Sequence, residues 1–219
     1  MNPATDLMES QALAPSIKVL LLLTLLALLP ALILTATSFV RTVVVLSFLR
    51  LGLGAAQTPP NQVIIGIALF LSFFTMSPVI GEMKTAAYEP YRRAEVTEVQ
   101  ALERASIPLK RFMLRQTREE DLRLFHGAAN APLPPSADEV ALHVALPAFA
   151  ISELTTAFQM GVIILLPFLV VDLAVASLLM SMGMIMVPPA TLSLPIKLLL
   201  FVLVDGWTLI VQGLVSSFG

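Results

Sequence analysis

Four charged residues stand isolated in otherwise apolar tracts: Glu153 in AISELTTAFQ, Asp172 in LVVDLA, Lys197 in SLPIKLLLF and Asp205 in LVDGW. A charge placed in hydrocarbon costs roughly 2.5–3.5 kcal/mol, so it normally finds a partner or reaches water. Glu153 and Lys197 are opposite in sign and lie in separate apolar blocks. They read either as two independent side chains reaching an interface or as an ion pair, within one subunit or between two. Asp172 and Asp205 carry the two acids that an intramembrane aspartyl protease needs, but no accompanying catalytic pattern surrounds either. A proton or ion relay through Glu153, Asp172 and Asp205 is the remaining chemistry, and their spacing does not single it out.

A second constellation is built from sulfur. Met180, Met182, Met184 and Met186 recur at every second position, followed by Pro188 and Pro189. On a continuous helix Met180 and Met184 would share one face and Met182 and Met186 the other. Methionine fills irregular apolar gaps, so the run reads as core filler or as a deformable apolar collar. The adjoining proline pair would let such a segment leave helical geometry. His126 and His143 are too few and too distant to suggest a metal site, and the absence of cysteine excludes disulfides and thiolate chemistry. No phosphate-binding loop, nucleophile elbow or HExxH motif occurs. No catalytic, cofactor-binding or metal site is therefore expected, and the protein reads as a non-enzyme.

The elements that must hold these residues are membrane helices. The 219 residues are 57% hydrophobic and only 13% charged, with a mean hydropathy of +0.88, against about 25% charged in soluble domains. A net charge of −2 without a basic stripe argues against nucleic acid as a partner. Four apolar blocks, 17–40, 51–81, 144–171 and 173–215, carry almost no charge, and about 20 apolar residues suffice to cross a bilayer as a helix. The predicted fold is an all-α membrane protein, four apolar helical blocks forming bent, proline-broken hairpins with a small helical polar insert. Its divisions are a polar segment 1–16, a first hairpin 17–81, the insert 82–139, and a second hairpin 140–219 carrying the methionine run. Residues 1–18 lack a basic region and are not read as a cleavable signal peptide.

The insert holds most of the chain's charges. Thr97 with Gln100, Thr117 with Glu120, and Ser136 with Glu139 each match the capping box, which predicts short helices. Phe112 and Phe125 flank Thr117. They read as local core between two short helices or as contacts with a neighbouring copy. Arg41 and Arg50 flank the connection between the first two blocks, and Lys197 lies near the connection between the last two. The positive-inside tendency then places both connections in the cytoplasm and the insert and termini outside.

Several strings together resemble one family. RLGLGAAQTPPNQVIIGIALFLSFFTMSPVI, FMLRQTREEDLRLF, SELTTAFQ and PFLVVDLAVASLLMSMGMIMVPPATLSLPIKLLLFVLVDGW are similar to the FliP family, the export-gate proteins of flagellar type III secretion, related to the SctR proteins of virulence systems. TPPNQ and FMLRQTRE look like the flagellar branch. The resemblance implies a homo-oligomer that assembles with FliQ and FliR and the other export-apparatus membrane proteins. Together they would form a channel in the bacterial inner membrane, at the flagellar basal body, with the insert on the periplasmic side. Its implied partners are unfolded flagellar substrates and membrane lipid. It implies a gate gasket at Met184, Ile185 and Met186, with Met182 compensating for Ile185 where the family usually has methionine and Pro188 and Pro189 permitting the bend. It further implies an intersubunit salt bridge between Glu153 and Lys197, and insert contacts between subunits at Phe112 and Phe125. The competing readings are a scaffold that nucleates the basal body without lining the conduit, a virulence export gate, and an intramembrane enzyme or ion-coupled transporter.

Overall fold

The computed structural model describes residues 15–55, 58–129, 139–184 and 186–219. The reading of the N-terminal segment and the Ser136 cap fall outside them. Every element among the described residues is helical: α1 (Pro15–Thr35), α2 (Phe39–Leu53), α3 (Asn61–Met83), a π-helical stretch (Lys84–Tyr88) leading into α4 (Glu89–Arg92), α5 (Glu98–Gln116), α6 (Glu119–Ala128), α7 (Leu142–Ser181), α8 (Pro189–Leu203) and α9 (Gly206–Ser216).

Two helices, Asn61–Arg92 and Leu142–Ser181, are each long and apolar enough to cross a membrane. Two bent pairs, Leu26–Thr35 with Phe39–Leu53 at 67° and Pro189–Leu203 with Gly206–Ser216 at 66°, raise the number to four if each is one span. These elements expose apolar side chains broadly: Phe70, Phe73, Leu166 and Leu199 all face outward. That distribution suits helices whose outer solvent is hydrocarbon, where apolar surface carries no penalty.

The bends do not fall at the isolated prolines. Pro30, Pro78, Pro147, Pro167 and Pro195 all lie inside helices. The α1–α2 corner is instead made by Thr37 and Ser38. The Ser38 hydroxyl donates to Ser72 Oγ at 3.0 Å and Thr37 Oγ1 donates to the Leu34 carbonyl at 3.1 Å. Side-chain hydroxyls thus satisfy polar groups that an interrupted helix would leave bare. The α8–α9 corner turns on Asp205, which adopts the left-handed conformation at φ 49°, a geometry that aspartate tolerates better than most residues. Asp205 is exposed on this chain, and its backbone makes the corner. The two double prolines do coincide with helix starts, Pro60 before α3 and Pro188–Pro189 at the start of α8.

Helix α7 is the backbone of the molecule. Its 40 residues span about 60 Å at 1.5 Å per residue, twice a hydrocarbon core of about 30 Å. It runs without interruption through Asp172, so the boundary expected there between the third and fourth blocks does not exist. Helix α2 packs along it more extensively than any other pair of elements. Gly161 permits that approach: a Cβ there would come within 2.4 Å of the Phe48 ring.

The insert folds as short helices, as its capping signals predict. At α5 the Thr97 box is reciprocal: Gln100 N–H donates to Thr97 Oγ1 and Thr97 N–H to Gln100 Oε1. The second box is not formed. Thr117 is the C-terminal cap of α5, its hydroxyl donating to the Met113 carbonyl at 2.7 Å, and α6 begins after Arg118. The hydroxyl bonds the helix behind it and leaves Glu120 without a partner for a box.

Candidate functional site

The isolated charges form two separate intrachain pairs. Glu153 on α7 is fully buried and receives a two-pronged guanidinium contact from Arg41 on α2, Nε donating to Oε2 at 3.0 Å and Nη2 to Oε1. The planar fork of arginine matches a carboxylate in this way. Arg41 Nη1 also donates to the Ser217 carbonyl at 2.8 Å, and Nη2 to Gln116 Oε1 at 3.1 Å. Its guanidinium lies 3.9 Å from the centroid of the Phe218 ring. Gln116 Nε2 in turn donates to the Phe218 carbonyl at 3.2 Å. One buried cation therefore ties together α2, α7, the insert helix α5 and the segment after α9.

Lys197 is the second node. It is buried on α8 and donates to Asp172 Oδ2 on α7 at 2.6 Å. Glu153 and Lys197 do not meet within the chain; each holds its own partner. Sequence position names neither partner: Arg41 stands near the connection between the first two apolar blocks and Asp172 between the last two. Arg41 and Lys197 lie buried inside helices on carboxylate partners, whereas Arg50, in the last turn of α2, borders the connection to α3 and donates to the Pro59 carbonyl at 3.4 Å. The signal was present in the string FVRTVVVLSFLR: Arg41 is itself a lone charge in an apolar run, opposite in sign to Glu153.

A third polar contact docks the insert on α7. Arg118 Nε donates to Asp121 Oδ2 at 2.8 Å, the Ser152 hydroxyl donates to the same oxygen at 2.6 Å, and the Arg118 N–H donates to Ser152 Oγ at 3.0 Å. The Arg118 hydrogen bonds hold the Asp121 carboxyl below its ordinary value, against the opposing effect of burial, and Ser152 adds to the lowering.

Phe112 is buried within the chain, edge-to-face with Phe149 at 5.9 Å and stacked on Phe218 at 6.2 Å. Phe125 is half-buried against the Val140, Val144 and Ala145 cluster.

The methionine run lies where α7 stops. The Gly183 N–H donates to the Met180 carbonyl at 3.1 Å and the Met184 N–H to the Leu179 carbonyl at 2.9 Å, with Gly183 left-handed at φ 74°. This is the Schellman termination, and it requires a residue such as glycine at the left-handed position. The helix thus ends before Pro188, and the expected face-sharing of Met180 with Met184 does not arise. Met182, Met184 and Met186 project from non-helical chain between two apolar helices, and Met186 is 97% exposed. Ile185 falls outside the described residues. Pro188 caps α8 and Pro189 is its first residue, where a missing N–H costs nothing.

Comparison with known proteins agrees with this architecture. The FliP family matches residues 22–214. The flagellar biosynthetic protein FliP of Pectobacterium carotovorum is 52% identical over 203 residues, 93% of this chain and 79% of that protein. The protein of the same name from Bacillus subtilis is 48% identical over 210 residues, 96% of this chain and 95% of its own length. That from Aquifex aeolicus is 47% identical, covering 94% and 87% respectively. With a match over nearly the whole chain and relatives near half identity, this all-helical, membrane-capable chain belongs to the FliP family.

Proposed function

We propose that the chain is a core subunit of the flagellar type III protein export gate. Several copies assemble with FliQ and FliR into the conduit through which unfolded flagellar proteins cross the bacterial inner membrane, with the insert on the periplasmic side. The observation that carries this reading is the exposed methionine segment. Met184 and Met186 lie on irregular chain after the Schellman stop, with Met186 almost wholly uncovered; irregular backbone at membrane depth is tolerated only within protein or lining a cavity, and neighbouring copies converging on an axis would supply that cover. Thioethers repack at little cost, so such a collar seals against ions and yields to a passing chain. Met182, Met184 and Met186 line it, Ile185 sits between them, and the Pro188–Pro189 start of α8 anchors its far side. The reading is non-enzymatic, with Glu153 and Asp172 employed in holding cations.

Two contacts between subunits belong to the proposal. A Glu153–Lys197 bridge would require Glu153 to leave Arg41 and Lys197 to leave Asp172, so assembly would exchange partners at both nodes. Phe125, half-buried, retains surface to offer a neighbour; Phe112, enclosed by Phe149 and Phe218, acts by shaping the insert.

The test is site-directed crosslinking of a stalled export substrate to probes at Met184 and Met186, with ion conductance of the assembled complex measured in parallel. Substrate crosslinks at both positions, and increased small-ion leak in a Met184→Ala/Met186→Ala variant, are expected. Crosslinks absent and conductance unchanged would leave the scaffold role in place of the conduit.

A further inference from the structure

The methionine run has a property that apolar sealing does not use: its sulfurs are electron-pair donors. Met182, Met184 and Met186 follow one another at alternate positions, at and beyond the C-terminal cap of α7. They are 65%, 39% and 97% exposed. The other described methionines differ. Met76 and Met113 are buried, and Met83 and Met160 are half-buried. Met180 sits in the last turn of α7, where a side chain leans back toward the helix N-terminus and away from the break.

The backbone gathers the three exposed donors. The Schellman turn closes with the Met184 N–H on the Leu179 carbonyl at 2.9 Å, which folds Met184 back against the end of α7, where Met182 is the cap. Met186 follows two residues later, at most about 7 Å of extended chain. Methionine side chains have three rotatable bonds each, freedom enough for three sulfurs to meet at one point.

The surroundings select the guest. No charged residue occurs between Asp172 and Lys197, so nothing beside the run compensates a divalent ion or supplies the carboxylates that calcium and magnesium need. His143 lies at the opposite end of the 40-residue α7, and His126 is buried in the insert helix α6. With no cysteine in the chain, the run offers none of the thiolate, imidazole or carboxylate ligands that hold zinc. Thioether sulfur is neutral and polarizable, and an all-thioether set suits copper(I), a soft monovalent ion.

We propose that Met182, Met184 and Met186 bind one copper(I) ion through their three sulfurs. The ion ties the end of α7 to the chain entering α8 and stiffens the break between the two helices. Coordination releases no proton and transfers no electron, so the step is simple association. All three donors belong to one chain, and the site stands or falls independently of the gate.

The experiment titrates the purified full chain in detergent, without oxygen, with copper(I) against the chelator bathocuproine disulfonate. X-ray absorption at the copper edge then identifies the ligand atoms. One copper(I) per chain with sulfur neighbours alone is expected. Met182→Leu, Met184→Leu and Met186→Leu keep apolar bulk at exposed positions. Each should weaken binding about tenfold or more, the scale of losses around a metal's ligand shell, with helix content unchanged. Met180→Leu should leave affinity as it was. Copper(I) should also slow proteolysis between Gly183 and Pro188 in the unsubstituted chain and not in Met184→Leu/Met186→Leu. Because a thioether has no proton to lose, affinity should not fall on acidification as that of an imidazole site does. Nitrogen or oxygen neighbours, full affinity in the triple leucine variant, or equal competition by zinc would overturn the site. So would one copper per two chains, which would make it a bridge between copies.

Discussion

Replacing Arg41 with methionine removes the cation from a carboxylate that has no access to water. Glu153 is 0% exposed and accepts two hydrogen bonds from that guanidinium. Breaking one side of a buried pair costs about 3–5 kcal/mol, because the surviving charge stays desolvated. The variant also strips a donor from the Ser217 carbonyl and from Gln116 Oε1. These are only partly buried, so water replaces much of what they lose. A total near 4 kcal/mol follows, a large share of the 5–15 kcal/mol that folded domains possess. Arg41→Met/Glu153→Leu removes both charges and refills the space with apolar atoms, a change that is often neutral or better for a buried pair. The double variant should therefore be about 2 kcal/mol more stable than Arg41→Met alone. The assay is resistance to SDS titration in detergent, read by Trp207, the chain's only tryptophan. A double variant as unstable as the sum of its singles would refute the pairing. Rescue of Glu153→Leu by Lys197→Met, with none by Arg41→Met, would show that the partner of Glu153 is Lys197.

Other consequences follow from the same geometry. Asp121 has a lowered carboxyl value in the folded chain, so its contribution is complete above the ordinary value near 3.8 and fades as pH falls below that through the lowered one. Once the intrinsic pH dependence of amide exchange is divided out, protection across Glu119–Ala128 should fall as pH drops below about 4, and Asp121→Asn should flatten that dependence; an identical profile in the variant would argue against it. Gly183→Ala places a Cβ in left-handed backbone, at about 1–2 kcal/mol, and should free the Met184 region to proteases while α7 keeps its helix content by circular dichroism. Gly161→Leu drives a side chain into Phe48 and should lower the SDS midpoint further than Gly66→Leu, where a Cβ meets nothing within 4 Å. Lys197→Met leaves Asp172, which is partly exposed, so its cost should fall below that of Arg41→Met in the same titration.

Helix and membrane character were legible from local signals. Runs such as LLLTLLALLPALILT carry no polar face, and whatever their packing they must be helical to satisfy their own backbone in lipid. The Thr97–Gln100 cap was legible for the same reason: both partners lie within one turn. The family was legible from the strings around TPPNQ and SMGMIMVPP, and Gly183 held the α7 terminus in plain view. Pairing was not legible. Nothing in the sequence says that Glu153 reaches back 112 positions to Arg41 while Lys197 reaches 25 to Asp172. Charge sign permits each carboxylate several cations, and only the crossing of α2 on α7, set by Phe48 seating over Gly161, brings Arg41 to Glu153. The prolines mark the contrast from the other side. Residue type names them helix breakers, yet five sit inside helices, and the corners form where Ser38 finds Ser72 and where Asp205 turns left-handed. Local composition determines what each segment must be; which partner a buried charge obtains depends on which helices touch.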